Sequence, residues 1–206
     1  MLGRTLPFSF EPANAVVSRE THDRLGSLAG LVSKWTATIN LVATGERDAI
    51  WSRHILDSLR LVPLIPPGLT RAIDLGSGAG FPGLVLAIAT GVHFDLIEAD
   101  QRKAAFLREA QRLTNAPVTV HCVRIEAADC PPASLVTARA LAPLITLLSY
   151  AHGMLAPGGL ALFPKGHKAE VEIAEARRHW TMNLTRYDDP ACRGSTILGI
   201  TGLARA

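Results

Sequence analysis

Asp74 closes a short apolar run, Ala72-Ile73, and three glycines follow it at alternating positions, Gly76, Gly78 and Gly80. Phe81-Pro82-Gly83 comes next, and an apolar segment starts at Leu84. This order reads as a strand, a glycine turn and the first turn of a helix. Pro82 suits a first helical turn, where a missing N–H costs nothing. Glycine lets backbone take φ > 0 and approach a ligand closely. A helix start offers free N–H groups and partial positive charge. Together they make a pocket for a nucleotide-like cofactor. Gly78-Ala79-Gly80-Phe81-Pro82-Gly83 satisfies the dinucleotide pattern G-x-G-x-x-G, and Glu98 lies 20 residues after Gly78. Two features weigh against a dinucleotide. Asp74 brings a carboxylate to the turn where a pyrophosphate needs none, and that register leaves Gly76 unused. A carboxylate there suits a cationic ligand, such as the amino group of a methionine moiety.

Counting Gly76, the loop reads Asp-x-Gly-x-Gly-x-Gly, which resembles motif I of the S-adenosylmethionine (SAM) methyltransferases. The elements that must hold it follow from periodicity. After Pro63, Pro66, Pro67 and Gly68 the pattern alternates strand and helix, as in a doubly wound α/β sheet. Strands are expected over 71–75, 93–97, 118–123, 134–138, 160–164 and 196–202. Helices are expected over 82–90, 101–113, 144–154 and 171–179, with a turn at 156–159. The fold class is therefore α/β, a Rossmann-like class I methyltransferase core over residues 68–206. Ahead of it, residues 1–67 form a helical N-terminal extension. Residues 1–17 read as an irregular arm. Leu25, Leu28, Leu31, Val32 and Trp35 recur at helical spacing, and a second amphipathic stretch runs over 46–62.

Composition narrows the class. The 206 residues make one main domain, and no apolar run approaches the ~18–20 residues of a membrane span. The first residues lack the charged-then-apolar order of a signal peptide. Cys122, Cys130 and Cys192 form an odd set without paired spacing, which points to reduced thiols and a cytoplasmic location. Neither C-x-x-C nor H-E-x-x-H occurs, so no metal site is expected. A net charge of +3 is compatible with an RNA partner without requiring one.

Further segments point to one family. They are Trp35 with Ile39-Asn40-Leu41, Arg53-His54-Ile55-Leu56-Asp57-Ser58-Leu59, the loop from Asp74 to Gly83, Glu98, Arg102-Lys103, Phe106-Leu107, Ala138-Arg139-Ala140 and Lys165-Gly166. With these the chain resembles the small-subunit ribosomal RNA methyltransferase G proteins, also called glucose-inhibited division protein B. The Arg-His-Ile-x-Asp-Ser block ahead of the Phe-Pro-Gly loop carries most of the specificity. The chain departs from the pattern at Pro164, where many members have Leu, and at its last four residues, which members often make basic.

The resemblance implies a SAM-dependent enzyme, releasing S-adenosylhomocysteine, that methylates N7 of guanine 527 in the 530 loop of 16S ribosomal RNA. It implies a cofactor site of Asp74, Gly76, Gly78, Gly80, Phe81, Glu98, Ile125, Glu126 and Arg139. Glu98 would accept from the ribose hydroxyls, and Ile125-Glu126 would face the adenine. Arg139 would serve both cofactor and guanine, with His54 and Asp57 bordering the reacting atoms. Asp74, Asp57 or RNA phosphates would offset the Arg139 charge beside the guanine cation. Arg53, Arg102, Lys103 and Lys165 would meet RNA phosphates. The expected partner is 16S RNA within the 30S subunit or its precursor, met by a monomer away from any membrane.

The acceptor chemistry is consistent with this. Guanine N7 carries an in-plane lone pair and no proton, so alignment and a suitable field suffice. Exocyclic-amine methylation commonly uses Asn/Asp-Pro-Pro-aromatic after the fourth strand, but that place reads Ala138-Arg139-Ala140-Leu141-Ala142-Pro143. Pyrimidine C5 methylation needs a nucleophilic cysteine, and Cys130 precedes that strand. The rival readings are a methyltransferase for a small molecule or protein, a non-catalytic SAM-binding module on the ribosome, and, last, a dehydrogenase.

Overall fold

A computed structural model describes residues 4–5, 17–43, 49–188 and 194–206. The expected arm over 1–17, apart from 4–5 and 17, the start of the 46–62 stretch and Cys192 lie outside the described residues. In chain order the strands are β1 (Arg4–Thr5), β2 (Arg71–Leu75), β3 (His93–Ile97), β4 (Val118–His121), β5 (Ala133–Ala138), β6 (Leu155–Lys165), β7 (Trp180–Asp188) and β8 (Thr196–Arg205). The helices are α1 (Arg19–Thr36), α2 (Leu56–Leu59), α3 (Gly83–Thr90), α4 (Gln101–Thr114), α5 (Leu144–Met154) and α6 (Ala169–Ala176). All eight strands join one sheet in the order β1-β7-β8-β6-β5-β2-β3-β4.

Strands β4, β3, β2, β5 and β6 run parallel, while β8 is antiparallel to both β6 and β7. The chain leaves β2 toward β3 on one side, and β5 returns on the other. Ligands of open α/β sheets sit at such a switch point, beyond the strands' carboxyl ends. The register fixes what meets there. Leu75 pairs with both Ile97 and Ala138, so the segments beginning at Gly76, Glu98 and Arg139 leave the sheet side by side.

The central strands β2, β3 and β5 are buried on both faces, because helices cover both. Phe94 and Leu96 pack toward α1, α3 and α4, together with Leu25, Leu28, Leu84 and Phe106. Ile73, Ile97 and Val136 pack on the other face with Leu144, Leu148 and Ile173 of α5 and α6. Helix starts are set locally. Ser18 accepts from the Thr21 amide at α1, and Asp100 accepts from the Arg102 and Lys103 amides at α4. At its end, α4 is closed by Asn115 in the left-handed region at φ 49°.

Several expectations need correction. The second N-terminal stretch is no uniform helix: among the described residues it comprises a π-helical turn, Trp51–Ile55, followed by the single turn of α2. The expected turn at 156–159 lies inside β6 as a bulge, since Ala133 pairs with Leu155 but Leu135 with Leu160. Strand β7 was not anticipated. Trp180, Met182 and Leu184 alternate there with Thr181, Asn183 and Thr185, and this period of two is the signal that finds it. Helix α6 accordingly stops at Ala176, short of the expected 179.

Candidate active site

Asp74 is fully buried at the end of β2. Its Oδ1 accepts from the Thr137 hydroxyl at 2.6 Å, while Oδ2 has no hydrogen-bond partner. Burial pushes the carboxyl up from 3.8 to about 6, against the opposing pull of the Thr137 and Ser77 hydroxyls, the nearby Gly83 amide and the Arg139 guanidinium. A Cβ on Gly83 would stand 2.5 Å from Asp74 Cβ and 2.7 Å from Oδ2. Glycine at the first residue of α3 thus lets the helix start sit directly on the carboxylate. Sequence reasoning expected Asp74 to point into the turn. The structure places it behind the loop, outside the cavity lining.

The loop itself is held by its neighbour strand. Ser77 N–H donates to the Ile97 carbonyl, and Gly80 N–H donates to the Ser77 carbonyl. Gly76, Gly78 and Gly80 all take positive φ, at 61°, 55° and 84°. Glu98 closes the turn. Its Oε2 accepts from the Gly78 amide and its Oε1 from the Asp100 amide, each at 2.8 Å. Each oxygen keeps a further lone pair, so the carboxylate can still accept from a diol.

Of this loop, Gly76 and Gly78 line a cavity of about 340 Å³ together with Glu98, while Gly80 and Phe81 lie outside its lining. Ile97, Val123, Ile125 and Leu141 give it apolar walls, and Glu98, Glu126 and Tyr150 give it polar ones. The Tyr150 hydroxyl donates to Glu126 at 2.8 Å. This bond holds the Glu126 carboxyl below its usual range, behind the larger effect of its own backbone amide, and pushes the phenol up. Apolar walls with a few directed acceptors suit a nucleoside.

Arg139 forms the remaining wall. One of its nitrogens donates to His54 Nδ1 at 2.5 Å and another to the Arg53 carbonyl at 3.3 Å. Its guanidinium carbon lies 5.2 Å above the Phe81 ring, and the His54 ring stacks on Phe81 at 5.1 Å. A guanidinium can only donate, so His54 Nδ1 must accept, and the imidazole proton sits on Nε2. The π-helical turn, the glycine loop and the segment after β5 therefore meet through three side chains. Such turns are frequent at functional sites.

The other expected residues divide. Lys103 reaches the cavity wall, as do Ile125 and Glu126. Arg102 is exposed and lies 3.4 Å from Asp100. Arg53 is exposed near the Arg139 edge, which holds its carbonyl. Asp57 is not brought to the cavity; its carboxylate pairs with buried Arg60 at 3.7 Å, one turn along the helix. Lys165 is not placed for phosphate. Its side chain is only 10 % exposed, and Nζ donates to Glu172 at 2.7 Å and to the Ala142 carbonyl at 2.9 Å. Sequence reasoning missed Arg124, Leu141 and Tyr150, which also line the cavity. Arg124 adjoins Ile125 and Leu141 lies two residues after Arg139, whereas Tyr150 sits mid-helix with no local signal.

Away from the cavity, Asp95, His121 and Cys130 bring potential ligand atoms within 4.8 Å of one another. The cation already at this cluster is Arg71, 2.7 Å from Asp95, while His121 holds the other Asp95 oxygen at 2.7 Å. Burial, then the Asp95 charge, pushes the Cys130 thiol up. That environment opposes a thiolate nucleophile.

Comparison with known proteins agrees with this geometry. The M. jannaschii TYW2 structure in complex with AdoMet superposes with a TM-score of 0.58 at 14% identity, covering 76% of this chain and 78% of that one. At that identity the likeness shows the fold. Ribosomal RNA small subunit methyltransferase G of Granulibacter bethesdensis is 50% identical over 194 residues, 94% of this chain and 91% of the relative. Its counterpart in Gluconobacter oxydans is 51% identical over 189 residues, 92% of this chain and 97% of the relative. The family model for rRNA small subunit methyltransferase G matches residues 21–194. With the glycine loop, Glu98 and Arg139 converging on one cavity, and with relatives of this identity along nearly its full length, the chain belongs to the rRNA small subunit methyltransferase G family.

Proposed function

We propose that the chain methylates N7 of one guanine, guanine 527 in the 530 loop of 16S ribosomal RNA. As a member of its family it is a SAM-dependent rRNA methyltransferase. The observation that carries the finer reading is the convergence of the Gly76–Gly80 loop, Glu98 and Arg139 at the switch point between β2 and β5. When bound, SAM supplies an electrophilic methyl group. In our reading Glu98 accepts from the ribose hydroxyls, and Ile125, Glu126 and Tyr150 border the adenine. Asp74 acts from behind, tied to β5 through Thr137 and packed against the start of α3 at Gly83. Arg139, fixed by His54 and Phe81, orients the guanine edge. His54 serves as a positioning residue, since its Nδ1 is engaged by Arg139.

A ring nitrogen has no proton to lose, so its methylation requires no general base. Cys130 stands in the Asp95 cluster, outside the cavity lining, and is not placed as a pyrimidine nucleophile. Lys103, Arg124 and Arg53 are the cations best placed for RNA phosphates. The partner we propose is the 30S subunit or its precursor, met by a monomer in the cytoplasm. Among the described residues no helix is long and apolar enough to cross a membrane. Incubation of purified protein with labelled SAM and 30S subunits from cells lacking it tests this reading. Label is expected on a single N7-methylguanine; label on an adenine, a pyrimidine or a protein side chain would contradict it.

A further inference from the structure

Glu172 lies on α6, outside the cavity, yet its Oε2 accepts two hydrogen bonds aimed at the loop that carries Arg139. One comes from the Leu144 amide at 2.7 Å, the other from Lys165 Nζ at 2.7 Å. Lys165 also donates to the Ala142 carbonyl at 2.9 Å. Ala142 and Leu144 flank Pro143 at the junction between this loop and α5. The junction is thus gripped twice, through an ion pair whose side chains are 10 % and 22 % exposed.

Three observations say that the loop needs holding. Ala140 has φ 52°, a conformation residues with a Cβ seldom keep unless their surroundings enforce it. Helix α5 begins after Pro143 with no side-chain cap of its own, so Glu172 supplies the missing acceptor and a negative charge at the helix start. Leu141 presses on the glycine turn so closely that a Cβ on Gly76 would stand 2.5 Å from Leu141 Cδ1. Displacement of the loop therefore displaces the cavity wall.

We propose that Glu172 is a positioning residue for the methyl-transfer site, acting through Lys165 and Leu144 to fix the 139–143 loop. The inference rests on reading the cavity as the SAM site. Loss of the carboxylate charge leaves Lys165 without its counter-ion in a largely enclosed place. Lys165 then turns toward water and releases Ala142. The far end of the loop remains tied by His54 and Phe81, so the wall shifts without the fold being lost.

Titration calorimetry with SAM on the full chain tests this, using Glu172→Gln beside Leu28→Ala. Leu28 is fully buried on α1 and packs in the cluster on the sheet face opposite α5 and α6, so its truncation supplies a control for lost stability. Glu172→Gln should bind SAM at least about tenfold more weakly, because small misplacements of positioning groups have large effects. Leu28→Ala should bind within about twofold of wild type despite an equal or larger fall in Tm. Glu172→Asp, too short to span both donors, carries the same expectation should the glutamine variant fail to fold. Wild-type affinity in the Glu172 variants would overturn the proposal, as would an affinity that tracks Tm across both positions. A wild-type chain that fails to bind SAM would instead remove the cavity assignment, and the proposal with it.

Discussion

Arg139 is the residue on which three separate parts of the chain agree. It touches the π-helical turn through His54 and Arg53, the glycine loop through Phe81, and lines the cavity itself. Arg139→Ala should lower turnover by roughly a hundredfold, the scale of a lost preorganised donor, with little change in Tm. Turnover at the wild-type rate on 30S subunits would make it a bystander. Glu98→Ala should weaken SAM binding by roughly 5- to 150-fold, the equivalent of about 1–3 kcal/mol for unpaired buried groups, as read by calorimetry. Asp74 gives a prediction in pH. Its folded pKa is raised from 3.8 to about 6, so the folded chain holds the proton more tightly than the unfolded chain. Stability from this group is complete below about pH 4 and is lost as pH rises through about 6. At about 1.4 kcal/mol per pH unit the change is about 3 kcal/mol. Chemical denaturation of wild type and Asp74→Asn from pH 4 to 7 should show the variant gaining on wild type across that window. A constant offset would mean that the carboxyl keeps its ordinary pKa.

At the scale of elements, the N-terminal helix is part of the core. Leu25 and Leu28 of α1 are fully buried in one cluster with Leu84 of α3 and Phe106 of α4, so the helical N-terminal region docks on the sheet's own helices. We propose that the described chain unfolds as one unit. Leu28→Ala should then cost about 2–5 kcal/mol and lower a single thermal transition, seen equally by far-ultraviolet circular dichroism and by tryptophan fluorescence. Two separated transitions would restore the division at residue 67. The α/β core itself was legible because β2, β3, β5 and most of β6 are short, mostly apolar segments separated by helical patterns and Gly or Pro turns, a local signature of a buried parallel sheet. Strand β7, between β1 and β8, was less plain, since half its residues are polar and a helical stretch runs directly into it. The glycine loop and Glu98 were legible for the same local reason. Asp57 and Lys165 were not, because whether a charged side chain faces a cavity or a counter-ion depends on Arg60 in one case and Glu172 in the other. Neither pairing has a signature beyond proximity in sequence. Tyr150 reaches the cavity only because α5 packs beside the short helical turn at Ile125–Ala127, a tertiary fact.

For the whole molecule, charge limits how RNA is held. The net charge is +3, and with Lys165 turned inward the cavity rim has few cations. Each phosphate contact contributes about −0.7 to the log–log salt slope on single strands, so a shallow slope of roughly −1 to −3 is expected. Affinity then depends on the shape around the target guanine more than on charge, and short hairpins should be poor substrates beside the ribosomal particle. The central claim is that this cavity serves one guanine N7. Its most direct test is to map N7-methylguanine along 16S RNA, by cleavage at the modified base, in cells with and without the gene for this chain. One cleavage site is expected, at guanine 527, present with the wild-type protein and absent both without it and with Arg139→Ala. An unchanged pattern in its absence, or loss of a methyl group from any other position or atom, would contradict it.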